Sequence, residues 1–179
     1  NFEGNAEVSV GNLDFKQAKA AISGPLTDTL AARLAISSTT RRGTIYNVTS
    51  RQWVNGQDNI GLRGQLLYKP DDKLAITLTG DYSAQDAECC AQIYVRVGST
   101  QRALNRQYAA LTAALGYKVV DSNAFNRLTD VDSNLNAGNK IGGVSARAVW
   151  SVGPGTLTSV TAWRFWDWKP ENDRDFLGL

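Results

Sequence analysis

Seven stretches of the chain alternate apolar and polar residues with a period of two, and this alternation constrains the fold more than any other property of the sequence. Each such strand has one apolar face and one polar face. A soluble sheet hides its apolar face in a core, whereas a membrane barrel turns that face to lipid and keeps the polar face inside. The cleanest stretch sets Leu74, Ile76, Leu78, Gly80 and Tyr82 against Ala75, Thr77, Thr79, Asp81 and Ser83. The others run from about Asn5 to Gly11, Phe15 to Ser23, Leu30 to Thr40, Asn59 to Tyr68, Val144 to Val152 and Thr156 to Trp168. The last is hard to assign a face, because Trp163, Phe165, Trp166 and Trp168 occupy both parities.

The connections differ in length. Gly11-Asn12 reads as a tight corner, and Gly24-Pro25-Leu26-Thr27-Asp28, Lys69-Pro70-Asp71-Asp72 and Gly153-Pro154-Gly155 as short turns rich in turn-forming residues. A longer polar segment separates the third and fourth strands and has room for a short hairpin extension through Ile45-Tyr46. Between Ala87 and Ile141 the alternation lapses, and so long a stretch reads as an elaborated functional loop. Within it Leu104, Tyr108, Leu111 and Leu115 stand at helical spacing, which predicts a short helix from about Gln101 to Leu115, stopped by Gly116. Short turns on one side and long loops on the other are the asymmetry of an outer-membrane barrel.

Composition agrees with a sheet protein: 16 Gly, many Ser, Thr and Asn, 5 Trp and 6 Tyr. No run approaches the 18 or so apolar residues of a membrane helix, an absence that leaves a barrel open because its signal is spread over many short strands. A net charge of +2 gives no reason to expect nucleic acid as a partner. With no His, imidazole catalysis and His-ligated metal sites are excluded from this stretch, and no carboxylate constellation points to a hydrolase. No cofactor, metal site or catalytic group is expected. A chain that starts at Asn1 and lacks Met reads as an excerpt of something longer.

Several phrases, in this order and spacing, resemble the first barrel strands of TonB-dependent outer-membrane receptors: Val10-Gly11-Asn12-Leu13-Asp14, Ser23-Gly24-Pro25-Leu26, Arg33-Leu34, Arg63-Gly64-Gln65-Leu66-Leu67-Tyr68-Lys69-Pro70 and Leu157-Thr158-Ser159-Val160-Thr161-Ala162-Trp163-Arg164. The resemblance covers most of the chain outside Ala87 to Ile141. It implies an all-β, antiparallel transmembrane barrel of about 22 strands around a plug, of which residues 1–179 form an incomplete N-terminal portion of about seven strands, with 87–141 as an extracellular loop. It further implies a bacterial outer-membrane importer, driven by TonB with ExbB and ExbD, for a scarce nutrient such as a ferric siderophore, cobalamin, haem or a glycan. Plug, TonB-contacting segment and later strands lie outside these residues, so this piece alone should not transport.

The polar parity of the strands carries Arg33, Arg63, Gln65, Asp81 and Arg147. A charge facing lipid near the midplane would cost about 2 to 4 kcal/mol, so these residues are expected to line a lumen, either in structural hydrogen bonds or along a ligand's path. Tyr68, Tyr82, Trp150 and Trp163 suit the membrane interfaces, since each joins an apolar ring to a polar handle. Trp166 and Trp168 lie nearer an outer loop, where a ring can stack on a ligand. Arg41 and Arg42 stand in an outer loop, placed to meet an anionic ligand or lipopolysaccharide phosphates, or simply solvated. Adjacent Cys89 and Cys90 are candidates for a disulfide, either a vicinal one closing a strained ring or bridges to cysteines elsewhere in a longer protein. A passive porin or adhesion barrel and a soluble β-sandwich are the alternative readings.

Overall fold

The computed structural model describes residues 1–98 and 100–179. Its main body is one antiparallel sheet of seven long strands: β1 (Glu3–Gly11), β2 (Phe15–Pro25), β3 (Leu30–Arg41), β6 (Gln57–Tyr68), β7 (Leu74–Gln85), β9 (Ala137–Val152) and β10 (Gly155–Pro170), adjacent in that order. The outermost strands, β1 and β10, do not pair with each other, so the sheet stays open. A second, small sheet holds β4 (Ile45–Asn47), β5 (Gln52–Val54) and β8 (Leu128–Thr129). No helix among the described residues is long and apolar enough to cross a membrane.

All seven expected strands form, most with ends a few residues further out. The largest extension is at β9, which begins at Ala137 rather than after Gly142, so the loop before it is shorter than the sequence suggests. Asn136 to Lys140 carry no apolar alternation. They are held instead by the pairing of Lys140 with Ala84 and Asn139 with Gln85.

The turns follow local chemistry. The first corner centres on Leu13 and Asp14 rather than Gly11-Asn12: both take left-handed φ, 61° and 57°, as a tight hairpin turn requires, and Phe15 N–H donates to Asn12 O at 3.3 Å. Asp71 Oδ1 accepts from the N–H groups of Lys73 (2.8 Å) and Leu74 (2.9 Å), closing the β6–β7 turn with its own side chain. Gly153, at φ 57°, closes β9 onto β10 before Pro154.

The long connections do not hang free. β4 and β5 form a hairpin between β3 and β6, and β4 pairs in parallel with β8 from the loop after β7, so the two loops fuse into a cap. Ile45, Val54, Ala91, Val131 and Leu135 form its core, with Ile93 packed against it. Asn47 Nδ2 donates to Val131 O at 2.8 Å, and Asn55 exchanges two bonds with the backbone of Ala91, at 2.9 and 2.8 Å. The tail after β10 returns to the same body, with Asp173 and Leu177 buried.

The expected helix is shorter than its spacing suggests: α1 spans Tyr108–Leu115, after one 3-10 turn at Leu104–Arg106, and ends at Gly116 with φ 67°. Leu104, Leu111 and Leu115 are exposed and Thr112 is the buried residue, so the leucines that announced the helix do not face the cap core.

Candidate functional site

Register joins the seven alternations into two continuous faces. Directly opposed residues share a face, so the pairs Ile22–Leu34, Leu66–Leu78, Leu78–Ala146 and Val144–Trp163 carry one apolar surface from β2 to β10. Val8 and Val10 are 77% and 79% exposed on it, and Trp163 62%. Its charged strand residues, Lys16, Asp58, Lys140, Asp167 and Lys169, all stand at the loop end. A trough of about 860 Å³ on this face is lined by Leu34, Leu66, Leu78, Val144 and Trp163.

The four aromatic candidates lie on this apolar face in two groups. Tyr68 and Trp150 stand near the short turns, opposite Leu30 and Leu74 respectively. Tyr82 and Trp163 stand toward the loop end, joined by Phe165, whose ring centroid is 6.4 Å from Tyr82 and 5.7 Å from Trp163. The strand that was hard to face is thereby resolved. Trp163 and Phe165 share the apolar parity, and Arg164, Trp166 and Trp168 the polar one.

On the polar face Arg33 pairs in register with Gln65, Arg63 with Asp81, and Arg147 with Thr77. Gln65 Nε2 donates to Thr79 Oγ1 at 3.4 Å. The strongest contact here involves a residue that the sequence reading did not single out: Arg164 Nη1 lies 2.6 Å from Asp81 Oδ1. Strand β9 runs between the two, and Gly143 makes the reach possible, because a Cβ there would sit 2.9 Å from Arg164 Cδ. Its neighbour Gly142 serves the other face in the same way, leaving room for the Phe165 ring. Once Trp163 is placed on the apolar face, period two places Arg164 on the polar one, and that was the available signal.

Trp166 and Trp168 stack on each other on the polar face at the loop end, rings 5.6 Å apart and within 9° of parallel. Asn139 Oδ1 accepts from Trp166 Nε1 at 2.7 Å and fixes the first ring. They remain 65% and 54% exposed.

Arg41 and Arg42 are at the junction of sheet and cap and are not brought to the other arginines. Arg41 donates to Asn55 O at 3.0 Å, while Arg42 pairs with Asp14 at 3.6 Å and lies over the Trp53 ring at 4.8 Å. Both border a cleft of about 460 Å³ with Asp58, Asp86 and Glu88. Cys89 and Cys90 are bonded to each other at the edge of the cap. Deeper in the cap Tyr117 donates to Asp130 Oδ2 at 2.8 Å, and burial together with that bond pushes its phenol well above the usual range. Among the described residues no group of three or more His, Cys, Asp or Glu is placed to hold a metal ion.

Comparison of the chain with protein-family models, with curated proteins and with solved structures finds no match.

Proposed function

We propose that this chain is a section of wall and outer loops from a transmembrane β-barrel of the TonB-dependent receptor class, in the bacterial outer membrane, whose whole protein imports a scarce nutrient. The observation that carries the reading is the apolar face. It runs in register through seven strands, keeps its charges at one end, and has no packing layer of the described residues against it. In water that surface would be an aggregation hazard, and in hydrocarbon it is the solvated state.

Three further features fit. Strands of 11 to 12 residues such as β2, β3, β6 and β7 match the length a tilted membrane strand needs, about 9 to 11 residues in the hydrocarbon. Two aromatic groups bracket the apolar band, as girdles do at the two interfaces. The turns are also stepped: β7 starts at Leu74, beyond the Tyr68–Ile76 pair, and β9 ends at Val152, beyond the Leu74–Trp150 pair. Such a stagger is what strand tilt in a closed barrel demands.

In this reading the polar face lines the lumen, Arg33, Arg63, Asp81, Arg147 and Arg164 meet the plug or the passing ligand, and the cap is the outer mouth. Plug rearrangement driven by TonB, ExbB and ExbD would then release the nutrient inward. Lipopolysaccharide would meet Lys16, Lys140 and Arg42 above the apolar band.

The test is to recover the whole protein from cells. It should fractionate with the outer membrane, carry a plug before Asn1 by peptide mapping, and migrate faster on gels unheated than boiled. Uptake of its nutrient should stop when the proton-motive force is collapsed. A water-soluble protein would overturn the barrel, and uptake indifferent to the proton-motive force would leave a passive porin.

A further inference from the structure

Toward the loop end of the polar face one row of side chains is uncharged, with Arg41 one row above it at the end of β3. One register row contains Ser9, Gln17, Thr39, Asn59, Gln85 and Asn139 on six adjacent strands, and it ends at Trp168 on the seventh. At about 4.8 Å per strand the six span about 24 Å. All are neutral amides or hydroxyls. In the row beneath, the stretch from β3 to β10 is also uncharged: Ser37, Gly61, Ser83, Ile141 and then Trp166. Ser37, Gly61 and Ser83 are small, and they line a depression of about 530 Å³. Its charged lining residues are Lys19, Arg63, Asp81 and Arg164, of which Arg164 pairs with Asp81, Lys19 lies 3.8 Å from Glu7, and Arg63 stands opposite Asp81 in register.

We propose that this strip binds an uncharged oligosaccharide, with the Trp166 and Trp168 rings as the platform for a sugar's C–H face and the amide row as partners for its hydroxyls. The inference rests on the reading above in one respect, that the polar face lines a lumen, and it narrows the nutrient class. An anionic ferric chelate would be expected to meet unpaired cations, and this strip offers neutral groups that both donate and accept. Gln17 and Thr39 already bond each other at 2.9 Å, which leaves Asn59, Gln85 and the free Nδ2 of Asn139 as the nearest partners to the rings. Exposed indoles over a row of amides combine apolar stacking with orienting hydrogen bonds, as sugar recognition requires.

The test uses the whole protein in detergent, titrated with maltohexaose, xylohexaose and mannohexaose, and with a ferric tris-catecholate for contrast, read by tryptophan fluorescence and calorimetry. At least one hexasaccharide should bind at about 1 mM or tighter, with little salt dependence. The Trp166→Ala/Trp168→Ala double variant should weaken it about tenfold or more, and Asn59→Ala/Gln85→Ala several-fold. Trp166→Phe/Trp168→Phe, which keeps a flat ring, should restore part of the loss, and all variants should retain the gel mobility shift of the folded protein. No hexasaccharide bound at about 10 mM, binding untouched by loss of both indoles, or binding of the chelate alone would overturn the inference. Membrane fractionation keeps the two readings apart. A membrane barrel that ignores sugars refutes only the ligand class, and a soluble protein that binds them refutes only the barrel.

Discussion

The sheet and the cap solve the burial of apolar side chains in opposite ways. In the cap Val131 is 1% exposed, inside a small dry core with its backbone carbonyl taken by Asn47. In the sheet Val8 and Val10, of the same residue type, are more than three-quarters exposed. Under the proposed reading the difference is one of surroundings, since lipid and not water would meet the valines of the sheet. The cap carries its own core, and the described residues lay none against the apolar face of the sheet.

The comparison is most severely tested from the cap side. Leu135→Ala should cost about 2 to 5 kcal/mol locally and appear in hydrogen-exchange mass spectrometry as lost protection at β4, β5 and β8, with the long strands unchanged. Loss of protection across the whole sheet would mean that the two regions fold as one. Next in size is a neighbouring pair on β7. Leu78→Arg puts a charge on the apolar face at mid-height and should destabilise the protein in bilayers by about 2 to 4 kcal/mol, whereas Thr79→Arg on the polar face should be close to neutral. Equal effects at 78 and 79 would erase the difference between the faces.

Much of this was legible in the sequence, for a physical reason. Period two depends only on the strand's own geometry, so the facing of Arg33, Arg63, Asp81, Tyr82 and Trp150 could be read without knowing any partner. Where a partner decides, the sequence was silent. β9 extends to Ala137 because β7 pairs with it, β8 is two residues long and exists only beside β4, and the Asp81–Arg164 contact joins residues far apart in sequence across a glycine. The helix was found from its leucine spacing, yet those leucines are exposed. The adjacent cysteines left their pairing open in the sequence, and Cys89 and Cys90 are bonded to each other.

Smaller effects sharpen the account. Arg164→Ala removes a pair whose side chains are 48% and 29% exposed, so solvent screening keeps its effect on stability small, and high salt should shrink it further in a denaturation series. Gly143→Val should be worse than Arg164→Ala, because its side chain also displaces the β10 backbone. The least costly perturbation is alkaline pH. The phenol of Tyr117 is raised in the folded cap, so its contribution is fully present below the ordinary tyrosine value near about 10 and is lost as pH rises through the folded value. Burial raises Tyr108 as well, so ultraviolet titration should find a late-ionising tyrosine fraction, together with loosening of the cap, and Tyr117→Phe should remove part of it.

The most direct measurement is a nitroxide scan of β7 from Ala75 to Ser83, one labelled cysteine at a time, in the whole protein in native membranes. Cys89 and Cys90 are first replaced by Ser so that they do not compete for label. Labels at Ile76, Leu78, Gly80 and Tyr82 should be open to oxygen and closed to a water-soluble nickel chelate, and labels at Thr77, Thr79, Asp81 and Ser83 should show the reverse. If positions 76, 78, 80 and 82 were instead shielded from both reagents, a protein layer and not lipid would cover the apolar face, and the barrel reading would be contradicted.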